Sequence, residues 1–152
     1  MLDRHRLKAA AGHLQADIAL ARHEASRRGQ AVTLQFQTGN PWCYSVSTGG
    51  AVDCRRLSST PPDPQLIKRV QATDHPGITL LQASPMVLDP QTGTRLEQLA
   101  SGHARFASRE GRQLQVRLGP LGRASLCGPA APDPGLPPCP VETVETAEAA
   151  GS

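Results

Sequence analysis

Residues 14–36, LQADIALARHEASRRGQAVTLQF, decide the fold because their apolar period changes once, at Gly29. On the upstream side apolar residues recur at alternating spacings of four and three, which predicts a helix with one buried face. They are Leu7, Ala11, Leu14, Ile18, Ala21 and Ala25. Arg27 and Arg28 precede Gly29, an order typical of a helix C-terminus. We therefore expect a helical segment over residues 1–29 that ends at about Arg28.

Downstream of Gly29 the period becomes that of a strand. Val32, Leu34 and Phe36 alternate with polar residues, which predicts a half-buried strand. Further short apolar runs, separated by glycine and proline turn signals, lie at residues 42–47, 78–81, 86–88, 103–108 and 113–118. Strands of this length and spacing are typical of an antiparallel meander or small sandwich. The predicted fold class is α+β: an N-terminal amphipathic helix packed on an antiparallel β-sheet or small β-sandwich, with residues 30–127 as the β-rich domain.

The composition predicts a thin core. Apolar residues make up 38% of the 152 residues and aromatic residues only 3%. Trp42 and Tyr44 alternate on one predicted strand, where they either fill a core face or form a stacking platform for bases or sugars. We favour the core interpretation, since large aromatic residues are scarce in this chain.

Charge is distributed unevenly along the chain. Up to Pro140 there are 16 Lys and Arg against 10 Asp and Glu, whereas the last twelve residues carry three glutamates and no cation. A basic body is compatible with polyanion binding, and equally with an ordinary soluble surface. Residues 128–140 are proline-rich, and residues 141–152 lack apolar periodicity. We expect the latter to be a disordered acidic tail.

The cysteines indicate disulfides rather than a metal site. They fall into two locally spaced pairs, Cys43 with Cys54 and Cys127 with Cys139, and neither pair has the spacing of a zinc knuckle. Three pairings of four cysteines are possible; the pairing that closes two short, turn-rich loops is favoured. We expect Cys43 and Cys54 to face each other across a hairpin centred on residues 49–50. Disulfides would place the domain in an oxidising compartment.

No motif argues for catalysis, a cofactor or a bound metal. The five histidines are scattered and have no ligand-pair spacing, so we interpret them as solvated surface residues. They are His5, His13, His23, His75 and His103. Glycine-rich stretches lack the spacing of phosphate-binding loops, and no serine lies in a nucleophile elbow. The sequence therefore predicts a protein that is not an enzyme.

Arginines concentrate in the C-terminal strands and loops, where guanidinium groups could meet backbone phosphates. The five are Arg105, Arg109, Arg112, Arg117 and Arg123. The alternative is a solvated sheet face with ordinary arginine usage. Arg117 stands between Val116 and Leu118 and should point away from them, but the shared faces cannot be assigned without the strand register.

Three stretches resemble the GspH/FimT family of minor pilins and pseudopilins. Residues 13–36 are similar to the family's helix-to-strand segment, residues 41–49 read PWCYSVSTG, and residues 114–127 look like its closing strand. The resemblance covers residues 7–127. In the helix segment it is carried by Asp17, Ala21, Arg22, Glu24, Ala25, Arg27, Arg28 and Gly29.

The resemblance implies a type IV pilin-like fold and a non-catalytic role as a minor pilin that assembles into a type IV pilus. In the family a cleaved leader and an apolar half-helix precede the amphipathic helix, so this sequence would start within a longer chain anchored in the inner membrane. Its location would be the periplasm or a surface pilus, and its partners other pilins or pseudopilins. The pilus-packing helix would use Leu7, Leu14, Ile18, Ala21 and Ala25.

The FimT branch also implies capture of double-stranded DNA during natural transformation, through a Gly-Arg-x-Arg motif. Here the motif reads Gly122, Arg123, Ala124, Ser125, so a serine replaces the last arginine and removes a charge and a forked donor set. The tentative DNA-binding residues are Gly122 and Arg123, with compensation from Arg105, Arg109, Arg112 and Arg117. The alternative is a type II secretion pseudopilin of the GspH type without DNA binding.

Overall fold

The computed structural model describes residues 2–49, 53–55, 65–90, 102–119, 122–128 and 136–139. In these ranges one long helix, α1 (Leu2–Arg28), precedes eight strands, and a short 3₁₀ helix, Ala72–Asp74, follows the third strand. The strands are β1 (Val32–Gln37), β2 (Cys43–Thr48), β3 (Leu66–Gln71), β4 (Thr79–Ala83), β5 (Met86–Leu88), β6 (His103–Ala107), β7 (Gln113–Leu118) and β8 (Ala124–Cys127).

Helix α1 buries the predicted apolar face and ends where the sequence predicts. Its last residue is Arg28, and Gly29 adopts φ 67°, a left-handed conformation that favours glycine. The Gly29 amide donates to the Ala25 carbonyl at 2.9 Å, which satisfies a terminal acceptor. Glu24 accepts from Arg27 and Arg28 at 2.7 Å each, and these two hydrogen bonds lower the Glu24 pKa to about 2.

The strands form two four-stranded antiparallel sheets. The first has the order β3-β2-β1-β5 and the second β4-β6-β7-β8. Helix α1 contacts strands of both sheets, with its closest association to β7 and β1. The α+β class, with a helix packed on antiparallel sheets, is therefore confirmed.

The core lies between α1 and the two sheets. Leu14 and Ile18 from the helix join buried residues of both sheets, among them Leu34 and Phe106. Trp42 and Tyr44 are 2% and 1% exposed, so these rings fill the core and do not form a stacking platform. Trp42 packs edge-on against Phe106, with ring centroids 5.7 Å apart.

Two details of the strand prediction are wrong. Strand β3 was not foreseen, and it replaces the predicted hairpin return: β2 pairs with β1 and β3, while Cys54 lies in a turn. The reason is that β3 presents mostly half-buried residues and carries Lys68 and Arg69 at its centre, so it shows no apolar alternation. Its pairing comes from contact with β2 and not from a tight turn.

The cysteines nevertheless form the predicted pairs, each of which closes a short loop. Cys43 bonds to Cys54 and Cys127 to Cys139, and the described residues contain no free cysteine. The first disulfide joins the start of β2 to a turn. The second joins the end of β8 to the segment 136–139, where Gly128 forms an isolated bridge with Pro138.

The predicted C-terminal divisions fall largely outside the described residues. Of the proline-rich segment 128–140, the structure describes Gly128 and residues 136–139, and Leu136 packs against the core. The predicted acidic tail, residues 141–152, lies wholly outside. Within the described part of the chain, no helix combines the length and apolar character needed to cross a bilayer.

Candidate assembly helix and basic surfaces

A buried carboxylate attaches α1 to the first sheet. Asp17 is a charged residue, yet it lies on the buried face of the helix and is only 2% exposed. The Tyr44 hydroxyl of β2 donates to Asp17 Oδ2 at 2.5 Å, and the Lys68 ammonium of β3 donates to Asp17 Oδ1 at 2.6 Å. Burial, followed by the Asp17 charge and hydrogen bond, raises the pKa of Tyr44 well above its ordinary value, so the phenol remains a donor.

Two histidines extend this network. His13 Nε2 lies 2.9 Å from Lys68 Nζ, and His13 Nδ1 lies 3.0 Å from His75 Nε2. Trp42 stacks on His75 with centroids 6.2 Å apart and donates its indole N–H to the Ile78 carbonyl at 2.8 Å. His13 and His75 are therefore half-buried members of one network, and the prediction of scattered, solvated histidines is wrong for both.

The network joins α1, β2, β3 and the residue after the 3₁₀ helix, so it fixes the rotation of α1 against the sheet. Part of this was readable in the sequence. His13 and Asp17 are four apart and share a helix face, and Asp17 falls between the apolar positions 14 and 18. A carboxylate inside an apolar stripe signals a buried partner, but Lys68 and His75 are distant in sequence and gave no signal.

The pKa of His75 predicts acid sensitivity. Burial is the main cause that lowers this pKa, and His13 and Lys68 lower it further, while Asp74 and Asp17 oppose them. An unfolded histidine titrates near pH 6.5, so below that value the unfolded chain binds the extra proton. Stability is therefore complete above about pH 6.5 and is lost as pH falls toward the lower folded pKa.

We expect the melting temperature to fall between pH 7.5 and pH 5, as measured by circular dichroism. His75→Gln should flatten this dependence because the titrating group is gone. His23→Gln, which replaces an exposed histidine of α1, is the matched control and should retain the parent slope. An unchanged slope in His75→Gln would contradict the assignment.

The predicted arginine set does not form a single patch. Arg105 and Arg117 lie on the outer face of the second sheet, opposite the buried Ala104 and Val116. In the β6–β7 register Arg105 faces Gln115, two residues from Arg117, and Arg105 Nε donates to Gln115 Oε1 at 3.1 Å. As predicted from its neighbours, Arg117 lies on the strand face opposite the buried Val116 and Leu118.

Arg109 and Arg112 lie elsewhere, in the turn between β6 and β7. Arg112 Nε is 3.9 Å from an Asp3 carboxylate oxygen at the start of α1. A Cβ placed on Gly77 would lie 3.3 Å from Arg109 Nε and 3.4 Å from Arg6 Nη1, so these two guanidinium groups flank the same glycine. Arg109 and Arg112 therefore lie near the N-terminal end of α1.

Gly122 and Arg123 lie in the β7–β8 turn, at the other end of β7 from Arg112. Gly122 is buried with φ 80°, and Arg123 is exposed. Together with Arg22 of α1 they line an open depression of about 330 Å³. Gln15 donates to the Ala124 carbonyl at 3.2 Å and ties this turn to the helix. The Gly-Arg remnant is therefore a helix-contacting turn.

The architecture defines a class: a long helix laid by one face on antiparallel sheets, with disulfides and a fixed helix rotation, as in pilin-like domains. Residues 10–122 match the family described as type II transport protein GspH. The chain belongs to this family. Searches of curated proteins and of solved structures gave no match.

Membership confirms the identification made from the helix segment and supports a role as a pilin or pseudopilin. The family consists of structural components of a periplasmic pilus or pseudopilus, which assemble with other pilins or pseudopilins.

Proposed function

We propose that the chain is a non-catalytic subunit that enters a pilus-type fibre through the outer face of α1. The observation that carries this proposal is the two-faced character of α1. One face is buried on both sheets and includes the residues predicted to pack in the pilus: Leu7, Leu14, Ile18, Ala21 and Ala25. Because these side chains are used within the subunit, we assign the fibre contacts to the opposite face instead. That face carries small residues, of which Ala9, Ala16 and Ala19 are exposed and Gly12 is half-buried. Small side chains let a neighbouring helix approach closely. A Cβ added to Gly12 would meet nothing within 4 Å.

The proposal includes an oxidising location and an upstream anchor. Two disulfides support a periplasmic or extracellular setting. The family resemblance supports an apolar helix before Leu2 that holds the subunit in the inner membrane until assembly. Both the type IV pilus and the type II secretion pseudopilus fit this arrangement. The family description names type II transport, which supports the secretion pseudopilus as the alternative to a type IV pilus.

Deleting the gene and complementing it with variants tests the proposal. We expect the deletion to abolish either surface pili or secretion of exported enzymes, and the affected process assigns the fibre. Ala16→Trp should fail to complement because the bulky ring blocks the outer face, while the melting temperature stays within a few degrees of the parent. Thr73→Trp, exposed beside the first sheet, is the matched control and should complement. Full complementation by Ala16→Trp would refute the role of this face.

DNA binding is the second candidate function. The shared outer-face position of Arg105 and Arg117, together with the cationic excess before Pro140, supports it. Against it, Ser125 replaces the motif arginine, and Arg109, Arg112 and Arg123 lie at separate ends of the second sheet. The proposed contact is therefore non-specific and limited to a few phosphates.

We expect Arg105→Ala with Arg117→Ala to reduce the slope of log K against log salt concentration by about two units, since each phosphate contact contributes about 0.9. Fluorescence anisotropy with a short duplex at several salt concentrations measures this slope. Lys8→Ala with Arg27→Ala removes the same charge from α1 and should change the slope less. Equal slopes for the parent and both doubles would exclude a DNA site at these arginines.

A further inference from the structure

A cavity of about 290 Å³ lies beside the first disulfide, away from the outer face of α1 and from the second-sheet arginines. Its apolar lining comes from the Cys43–Cys54 disulfide, Trp42 and Ala72. Its polar lining residues are Arg55, Arg69, Gln71 and Thr73. Ligand sites typically combine apolar walls with a few placed polar groups, and their volumes start at about 300 Å³. The cavity is therefore large enough for one small group.

The Arg55 side chain is held in place by the main chain. Arg55 Nη2 donates to the Thr38 carbonyl at 2.5 Å and to the Pro41 carbonyl at 3.2 Å. Both bonds use Nη2, and a guanidinium has five N–H donors in all. The backbone N–H of Arg55 also donates to Asp53 Oδ1 at 2.9 Å, which fixes the turn. A pre-positioned guanidinium loses little entropy on binding an anion.

Arg69 enters from β3, on the same strand face as Gln71. When the Gln71 amide is turned with its oxygen toward Arg69, that oxygen accepts from Arg69 Nε at 2.9 Å. Two cations from different elements thus line one cavity, and none of its described lining residues is acidic. The charge of the cavity is complementary to an anion, and its apolar wall is complementary to a short hydrocarbon group.

We propose that this cavity binds a carboxylate carried on a short aliphatic group. Arg55 and Arg69 bind the carboxylate through charge-assisted hydrogen bonds, and the aliphatic part packs against the disulfide and Trp42. This chemistry has two sources, a free aliphatic acid and the C-terminal residue of a peptide. Each presents a carboxylate next to an apolar side chain.

Trp42 is the only tryptophan of the chain, so its fluorescence reports on the cavity. The full chain is titrated at constant ionic strength with isovalerate and with isovaleramide, its uncharged counterpart. We expect saturable binding of isovalerate with a Kd of about 1 mM, as for a fragment of this size, and at least tenfold weaker binding of the amide. N-acetyl-Ala-Leu and its C-terminal amide form the second arm. Tighter binding of the peptide acid than of isovalerate assigns the site to a chain end, and the reverse order assigns it to a free acid.

Variants locate the response. Arg69→Gln should weaken binding about tenfold and Arg69→Lys less, because lysine keeps the charge but not the forked donors. Arg27→Gln removes an exposed arginine of α1 and should bind as the parent does. Equal responses to acid and amide in the unmodified chain would overturn the proposal without any variant. A loss of binding in Arg27→Gln equal to that in Arg69→Gln would overturn it as well.

Discussion

We expect replacement of Asp17 with alanine to lower the free energy of unfolding by about 3 kcal/mol. Removing one partner of a buried, hydrogen-bonded charge pair leaves the other groups buried without their hydrogen-bond acceptor. The change leaves the Tyr44 hydroxyl without its acceptor in the core and removes the anion that faces Lys68. Lys68 keeps contact with water, since 33% of its side chain is exposed, which places the effect at the lower end of the usual range. Urea denaturation followed by circular dichroism measures it.

A matched carboxylate on the same helix serves as the control. Glu24 also accepts from two cations, Arg27 and Arg28, but these contacts are at the surface. Surface ion pairs contribute little to stability, so Glu24→Ala should have a much smaller effect than Asp17→Ala. Tyr44→Phe separates the two halves of the network and should cost about 1 kcal/mol. Similar losses for Asp17→Ala and Glu24→Ala would show that the buried network does not fasten the helix.

The second large effect is expected at the centre of the helix stripe. Leu14→Ala should cost about 3–4 kcal/mol, since the lost transfer energy of a leucine side chain adds to the energy of the cavity left behind. Leu14 is fully buried and belongs to the core between α1 and the two sheets. The same urea denaturation measures the change.

Lys8→Ala is the control for Leu14→Ala, because it changes an exposed residue of the same helix and should shift stability by less than about 0.5 kcal/mol. A cost below about 1 kcal/mol for Leu14→Ala would mean that the stripe is not packed against the sheets. The core between helix and sheets, on which the fold and the proposed assembly both depend, would then be disproved.

Periodicity was sufficient where one element has one buried face. The change of apolar period at Gly29 predicts both α1 and β1, and the alternation of Leu114, Val116 and Leu118 predicts β7. An element that is buried on one side only has apolar residues at the period of its secondary structure. Strand β3 escaped this logic. Its central Lys68 and Arg69 are half-buried polar residues, and their place is set by a neighbour and a buried anion, neither of which leaves a local pattern.

The site was less predictable because its parts meet only in three dimensions. His13 and His75 are 62 positions apart yet in hydrogen-bonding distance, and no spacing rule joins them. The arginines show the converse: closeness in sequence suggested a patch, but Arg112 and Arg123 lie beyond opposite ends of β7. Strand register decides which side chains share a face, and one residue of shift reverses it.

The Asp17 contacts with Tyr44 and Lys68 also set the azimuth of the helix. Consecutive residues of an α-helix are separated by about 100° around its axis, so a turn of α1 by even one position would carry the carboxylate away from both donors. In a fibre built through the opposite side of α1, each copy would therefore display its sheets and loops at the same angle to the filament axis. One buried carboxylate would thus determine which loops every subunit exposes on the surface of the filament.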